Sequence, residues 1–238
     1  MRRVARHEDD VRAATIMRLL EFTDSAFPVG TFSFSNGLET AAETGSVRDA
    51  ATLEAYTRTM ARQAAFTDGI AALQAFRSYG AGDFLGILEA DRQAIICKMN
   101  AEARLMTCRM GKKLAELSKR IFDDEIRDRW LAYIADGNTA GTYPAAQGIV
   151  FAACGISEKG LFCSHQYGVL NMILGAALRC VRVSHYDTQR ILFRMSDEID
   201  TLYDEIRNAD FEDIHAFNPQ ADIFASLHEK GDKRLFMN

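Results

Sequence analysis

The 238-residue chain carries no GxxxxGK[ST] loop, no HExxH pair and no CxxC, and no run alternates apolar and polar residues convincingly enough for a strand. The first absence excludes GTP or ATP hydrolysis through a P-loop. The others remove the common zinc arrangements and a disulfide framework. The five cysteines (Cys97, Cys108, Cys154, Cys163 and Cys180) are odd in number and sit in apolar helical stretches, as reduced core thiols do. A basic face is missing too: the net charge of -5 and a pI near 5.6 argue against nucleic acid as the main partner. The N-terminal MRRVARHEDDVRAA has no apolar signal core, and no run approaches the ~18 apolar residues of a membrane span, so the expected location is the cytoplasm.

What remains is a chain that is 48% hydrophobic and almost continuously helical in period. Ser35 or Asn36 is a possible N-cap for a short helix closed by Gly45, and Asp49 caps the next. Asp68 suggests a cap or kink, and Gly80 and Gly82 a turn. The long pattern from Asp83 to Phe122 is expected to break near Asp91. Acids open the helix DDEIRDRWLAYIADG and Gly137 closes it. Pro144 suits the first turn of a helix apolar all round, hence buried. Ser184 and Asp187 have capping-box spacing. After Asn208 the period is lost, and Pro219 prevents one continuous helix. The expected fold is all-α: a single helical-bundle domain of about ten helices over residues 13–208, between a flexible N-terminus (1–12) and an irregular, partner-dependent C-terminal tail (209–238).

Three features invite a chemical reading. DDEIR is like the aspartate-rich motif of all-α prenyl-transfer enzymes, but Arg127 stands where a carboxylate is needed, and Asp123 and Asp124 suit a helix start. Ser33 and Ser35 lack a GxSxG setting and an identifiable base, and fit backbone-bonding hydroxyls better than nucleophiles. The five histidines are scattered; His228 is the nearest to a metal candidate, yet no ligand set forms around it, and no catalytic residue, metal or cofactor is expected. The competing readings are an all-α enzyme of prenyl-transfer or hydrolase type, a generic helical adaptor, and a non-enzymatic assembly factor.

Two further patterns point to surfaces. Ser164, Gly168, Asn171, Gly175 and Arg179 recur at helical spacing. Glycines cost a helix about 1 kcal/mol each against alanine, which implies a closely packed neighbour, either internal or across a homodimer seam. The stretch FPVGTFSFSNG (residues 27–37) crowds three phenylalanines onto backbone that fits neither helix nor strand.

That stretch lies within LLEFTDSAFPVGTFSFSNGLETAAETGSV, which resembles the N-terminal signature of the UreF family of urease accessory proteins. Asp24, Ser25, Phe27, Pro28, Gly30, Phe32, Ser33, Ser35, Gly37, Leu38 and Glu39 fall on its pattern, followed by a Gly-Xaa-Val closing turn. The likeness continues through EARLMTCRMG, YPAAQGIVFAACGI, the DTQRIL helix and the ending NPQADIFASLHEKGDKRLF. Thr31, Phe34 and Tyr143 depart from it; Tyr143 replaces a frequent histidine, which weakens any metal role there. The resemblance implies an all-α, non-enzymatic protein joining UreD (or UreH) and the GTPase UreG on apo-urease, so that nickel is delivered and the active-site lysine carbamylated. It implies partner contacts at Phe27, Pro28, Gly30, Phe32, Ser33, Phe34, Ser35 and Glu39, and in the tail at His228, Glu229, Arg234, Leu235 and Phe236. Arg234 is expected to dock on the 28–35 loop, stacking on Phe32. Ser164, Gly168, Asn171 and Gly175 are the expected homodimer interface.

Overall fold

The computed structural model describes residues 12–30, 34–216, 218–228 and 235–236, and among them there is no β-strand. The N-terminal half runs α1 (Ala13–Thr23), α2 (Leu38–Glu43), α3 (Ala50–Ala64), a π-helical turn (Ala65–Gly69), α4 (Ile70–Gly80), α5 (Phe84–Ile96) and α6 (Ala101–Lys119). It continues with α7 (Glu125–Ala135), α8 (Tyr143–Ala153), α9 (Glu158–Cys180), α10 (His185–Ser196), α11 (Ile199–Ile206), a 3-10 turn (Phe211–Asp213) and α12 (Pro219–His228). The cysteines are all free thiols, with Cys154 buried.

α8 is the axis of the main core. Every residue from Pro144 to Phe151 is buried, as its all-round apolar sequence requires, and α4, α5 and α6 pack along it. Burying Ile149, Val150 and Phe151 contributes about 1.5–3 kcal/mol each. The approach of α4 is close enough to need glycine. A Cβ on Gly148 would lie 2.6 Å from Ala75 Cβ and 2.7 Å from the Ala72 carbonyl oxygen. On α6, a Cβ on Gly111 would lie 2.3 Å from the Gly141 carbonyl oxygen.

The loop entering α8 is pinned by Asp91, a fully buried carboxylate on α5. It accepts the backbone N–H of Gly141 at 2.8 Å and of Thr142 at 2.7 Å, and the hydroxyl of Thr139. This explains why the break expected near Asp91 is absent. Asp91 turns inward as a tertiary anchor instead of capping a helix, and α5 runs on to Ile96. The interruption falls at Asn100, whose side chain accepts the Ala103 N–H and starts α6.

Other local expectations resolve individually. Asp124 caps α7 by accepting the Arg127 N–H at 2.7 Å, the capping role that competed with magnesium binding. Asp49 with Thr52, and Ser184 with Asp187, form capping boxes. The disturbance at Asp68 is the π turn, not a cap. Neither Ser35 nor Asn36 caps α2; Gly37 does, at φ +77°, because two successive left-handed residues (Asn36 is at φ +53°) turn the chain into the helix. In the tail, Pro219 does block a continuous helix, by opening α12 at its first position.

A second core lies between α2, α3, α9, α10 and α12, centred on Leu38, Leu53, Leu170, Ile173, Ile191, Met195 and Phe224. α9 corrects the expectation about apolar runs: by length and composition it is long enough to cross a membrane, but 56% of its most apolar window is buried against the rest of the protein. It shows the opposite of what its glycines suggest within the chain, since a Cβ on Gly168 or Gly175 would meet nothing within 4 Å. The internal-packing alternative fails there; the close helix contacts fall at Gly148 and Gly111.

Gly148→Ala is therefore expected to lower stability by about 1–3 kcal/mol, whereas Gly175→Ala should leave the chain's own fold unchanged or up to about 1 kcal/mol more stable. Thermal unfolding of the two variants followed by circular dichroism checks the contrast; equal melting temperatures would reject it.

Candidate partner-binding site at the loop–tail junction

The irregular loop after α1 is built by short-range bonds. Asp24 Oδ1 accepts the Ala26 N–H at 2.8 Å, and the Phe27 N–H returns to the Asp24 carbonyl. Phe27 is half-buried and meets Phe22 edge-on at 5.2 Å between ring centroids; Phe22 in turn reaches Phe151 of α8. Val29 turns inward, while Pro28 and Gly30, at φ +92°, are exposed. Thr31, Phe32 and Ser33 lie outside the described residues. Phe34 is buried in the main core and Ser35 is fully buried, so the chain itself covers these two expected contact residues.

α2 then carries the charge on which the site turns. Glu39 is only 3% exposed. A buried carboxylate is costly unless donors surround it, and the tail supplies them. His228 Nε2 lies 2.9 Å from Glu39 Oε2; the Leu235 N–H donates to Oε1 at 2.7 Å and the Phe236 N–H to Oε2 at 3.2 Å. The other imidazole nitrogen of His228 faces Glu102 Oε2 of α6 at 3.1 Å, so the ring is held between two carboxylates on different helices. Only a ring with both nitrogens protonated donates to both at once.

The tail is packed as well as bonded. Phe236 is buried in the second core, with the Arg179 guanidinium 4.0 Å from its ring centroid, while Leu235 beside it is exposed. α12 crosses α2 at Gly37, where a Cβ would stand 3.4 Å from both the Ala221 carbonyl oxygen and the Ala225 nitrogen. Glu229 and Arg234 lie outside the described residues, and with them the expected Arg234 contact to the loop. Among the described residues, the cation found over an aromatic ring of the tail is Arg179 of α9, on Phe236.

The expected seam residues of α9 form a shallow cleft with the loop. Ser164 Oγ and Thr23 Oγ1 are 2.6 Å apart, and Gly168, Asn171 and Gly175 line the cleft beside Phe22, Asp24 and Val29. A neighbouring cavity of about 150 Å³, which shares Gly168 and Met172 with this cleft, is lined by Met60, Met110, His165 and the Asp68–Lys98 pair. Lys98 Nζ donates to both Asp68 oxygens at 2.6 Å. Burial of His165 pushes its pKa down from 6.5 to about 4; Asp68 opposes the shift and Lys98 adds to it. Among the described residues no group of three or more His, Cys, Asp or Glu is arranged to hold a metal ion.

The sequence had no local signal for Glu102 or Arg179 as partners of the tail, because their roles depend on helices separated by more than fifty residues of chain. Glu39 and His228 were singled out, but not as a pair.

Comparison with known proteins places the chain among similar sequences. A protein-family model described as UreF matches residues 47–196. The urease accessory protein UreF of Yersinia enterocolitica serotype O:8 / biotype 1B is 43% identical over 228 residues, covering 96% of this chain and 100% of its own. Proteins of the same name from Yersinia pseudotuberculosis serotype I (strain IP32953) and Yersinia pestis (strain Pestoides F) match with the same identity and coverage.

Glu39→Ala leaves three donors without their acceptor, and is expected to cost about 1–3 kcal/mol and to free the end of the tail. Limited proteolysis should then cut the tail of the variant faster than that of the parent; equal rates would reject the anchoring role. His165 gives a pH signature. Its folded pKa is depressed, so between pH 6.5 and about 4 the unfolded chain binds a proton that the folded chain does not. Stability present above pH 6.5 is lost as pH falls through that window, by on the order of 3 kcal/mol, and His165→Gln should flatten this part of the curve in urea titrations.

Proposed function

The chain belongs to the UreF family of urease accessory proteins, and from that premise we propose that it acts without catalysis of its own, joining UreD (or UreH) and the GTPase UreG on apo-urease. In this reading the assembly delivers nickel to the enzyme and permits carbamylation of its active-site lysine. Nickel is cargo of the assembly, and the chain needs no cofactor. The work is done in the cytoplasm, where apo-urease is made.

The observation that carries the proposal is the meeting of the two family-marked irregular segments on one buried carboxylate. Glu39 belongs to the signature block and His228, Leu235 and Phe236 to the ending, and they bond to one another. A partner surface made of two separate segments needs something to hold them in register, and a desolvated carboxylate with three donors does this with directional bonds. Pro28, Gly30 and Leu235 are exposed, and in this reading they make direct contact with the partner. The covered residues Phe27, Phe34, Ser35, Glu39, His228 and Phe236 are assigned a supporting role. Phe32, Ser33, Glu229 and Arg234 belong to the same proposed surface. The body over residues 13–208 is the scaffold, and the tail over 209–238 is the segment whose packing responds to the partner.

Self-association is part of the proposal. Gly168 and Gly175 leave open space along α9, with Asn171 in the same cleft, whereas Ser164 is buried and bonded to Thr23 and borders the seam from within; glycines that cost helix stability without an internal neighbour are accounted for by a second copy approaching that face.

Deleting the chain from cells that make urease is expected to leave urease protein at normal level but nickel-poor, with activity lowered at least tenfold. Metal analysis of purified urease with an activity assay tests this; nickel-replete, fully active enzyme from the deletion strain would sink the proposal.

A further inference from the structure

α10 presents a surface that neither the loop–tail junction nor the α9 cleft uses. Its inner face is ordinary: Thr188, Ile191 and Met195 are buried against the second core. Its outer face carries two large aromatics in water, Tyr186 at 79% and Phe193 at 74% exposure. Single exposed apolar residues are normal. Two aromatic rings on one helix face, seven residues and so about 10.5 Å apart, form the i and i+7 anchor spacing by which one helix grips another.

The polar residues of the face fix the chemistry of what it grips. Gln189, Arg190 and Arg194 line a shallow groove between the two rings, and Arg182 is exposed just before the helix. The Arg190 side chain is 72% exposed, and Asp187 approaches it only to 3.9 Å. Arg194 is held by Glu54 of α3, which fixes its guanidinium at the groove edge. The acids of the element are spent otherwise: Asp187 accepts from Ser184 in the capping box, and Asp197 lies past the last turn. The groove is thus aromatic and cationic, with the composition that dominates interface energetics.

A second copy of the same face is disfavoured by symmetry. The midpoint between Tyr186 and Phe193 falls at Gln189 and Arg190, so an antiparallel two-fold pair sets Arg190 against its own copy. A parallel two-fold pair does so as well, because each residue then faces its equivalent. Like charges at the centre of an isologous contact oppose it.

We propose that the α10 face docks an amphipathic helix of another protein, whose apolar residues at i, i+3 or i+4 and i+7 cover Tyr186 and Phe193, and whose carboxylates pair with Arg190. This site is separate from the loop–tail junction and does not rest on the assembly role.

The test replaces Phe193 with the photo-crosslinker p-benzoylphenylalanine in the full chain, irradiates cells producing the urease proteins, and maps the crosslinked peptides. Leu85, equally exposed on α5, carries the same crosslinker as a control position. The expected result is crosslinking from position 193, absent from position 85, to one helix with Asp or Glu a turn from the crosslinked residue, and a yield lowered at least tenfold by Arg190→Glu and by Tyr186→Ala. Both substitutions are on the surface and should leave the melting temperature unchanged, which circular dichroism verifies. Crosslinks to α10 of a second copy, to lipid, to many unrelated sites or to nothing, or a yield indifferent to Arg190→Glu, would overturn the proposal. No outcome depends on urease activity, so failure here leaves the assembly reading standing.

Discussion

Everything in this molecule is arranged around the closeness of α8 to its neighbours. With no side chain at Gly148 or Gly111, α4 and the loop before α8 come within distances that a single methyl group would forbid. Helices this close interlock along their backbones, and a fully buried α8 follows. Asp91 makes the arrangement specific. An apolar core tolerates many packings, but a buried carboxylate that must receive the N–H groups of Gly141 and Thr142 accepts one register of the entering loop.

The second core uses the same device for a different end. Glu39 is also a buried carboxylate fed by backbone N–H groups, but its donors come from the far end of the chain. The geometry therefore closes a long loop in sequence with few bonds. Among the described residues, the tail adds to the second core two buried aromatic rings, Phe224 and Phe236, the latter under the Arg179 guanidinium, a smaller apolar contribution than that of the α8 core. Marginal elements are the ones that binding partners rearrange, which agrees with the partner role proposed for the tail.

The two long-range clusters also clarify what the irregular loop is for. Its two described aromatics are not a free patch: Phe34 is core and Phe27 is half-buried, packed on Phe22. Pro28 and Gly30 are among its described residues that reach solvent. Large exposed apolar groups lie on other elements, among them Tyr186 and Phe193 of α10, Met17 and Leu20 of α1, and Ile223 and Leu227 of α12.

How much of this could be read from the sequence depends on the range of the forces involved. Helices whose caps and stops are local were legible: Asp49 with Thr52, Asp124, Ser184 with Asp187, Pro144, and the glycines at 45 and 137, because each acts within a turn of its own position. The all-α class followed from periodicity, and the family from the residues of the opening block and the ending. The sequence failed where one residue type serves two physical purposes. Asp91 has the look of a helix breaker and is a tertiary anchor. Gly168 and Gly175 have the look of a tight contact and face open space, while Gly148, in a run that drew notice only for being apolar, makes the tight contact. Local pattern thus determined the helices and the family by itself. Which carboxylates are buried, which glycines are crowded, and that Glu39 meets His228 were decided only by the tertiary structure, because desolvation and close approach depend on which distant segment arrives at a given point.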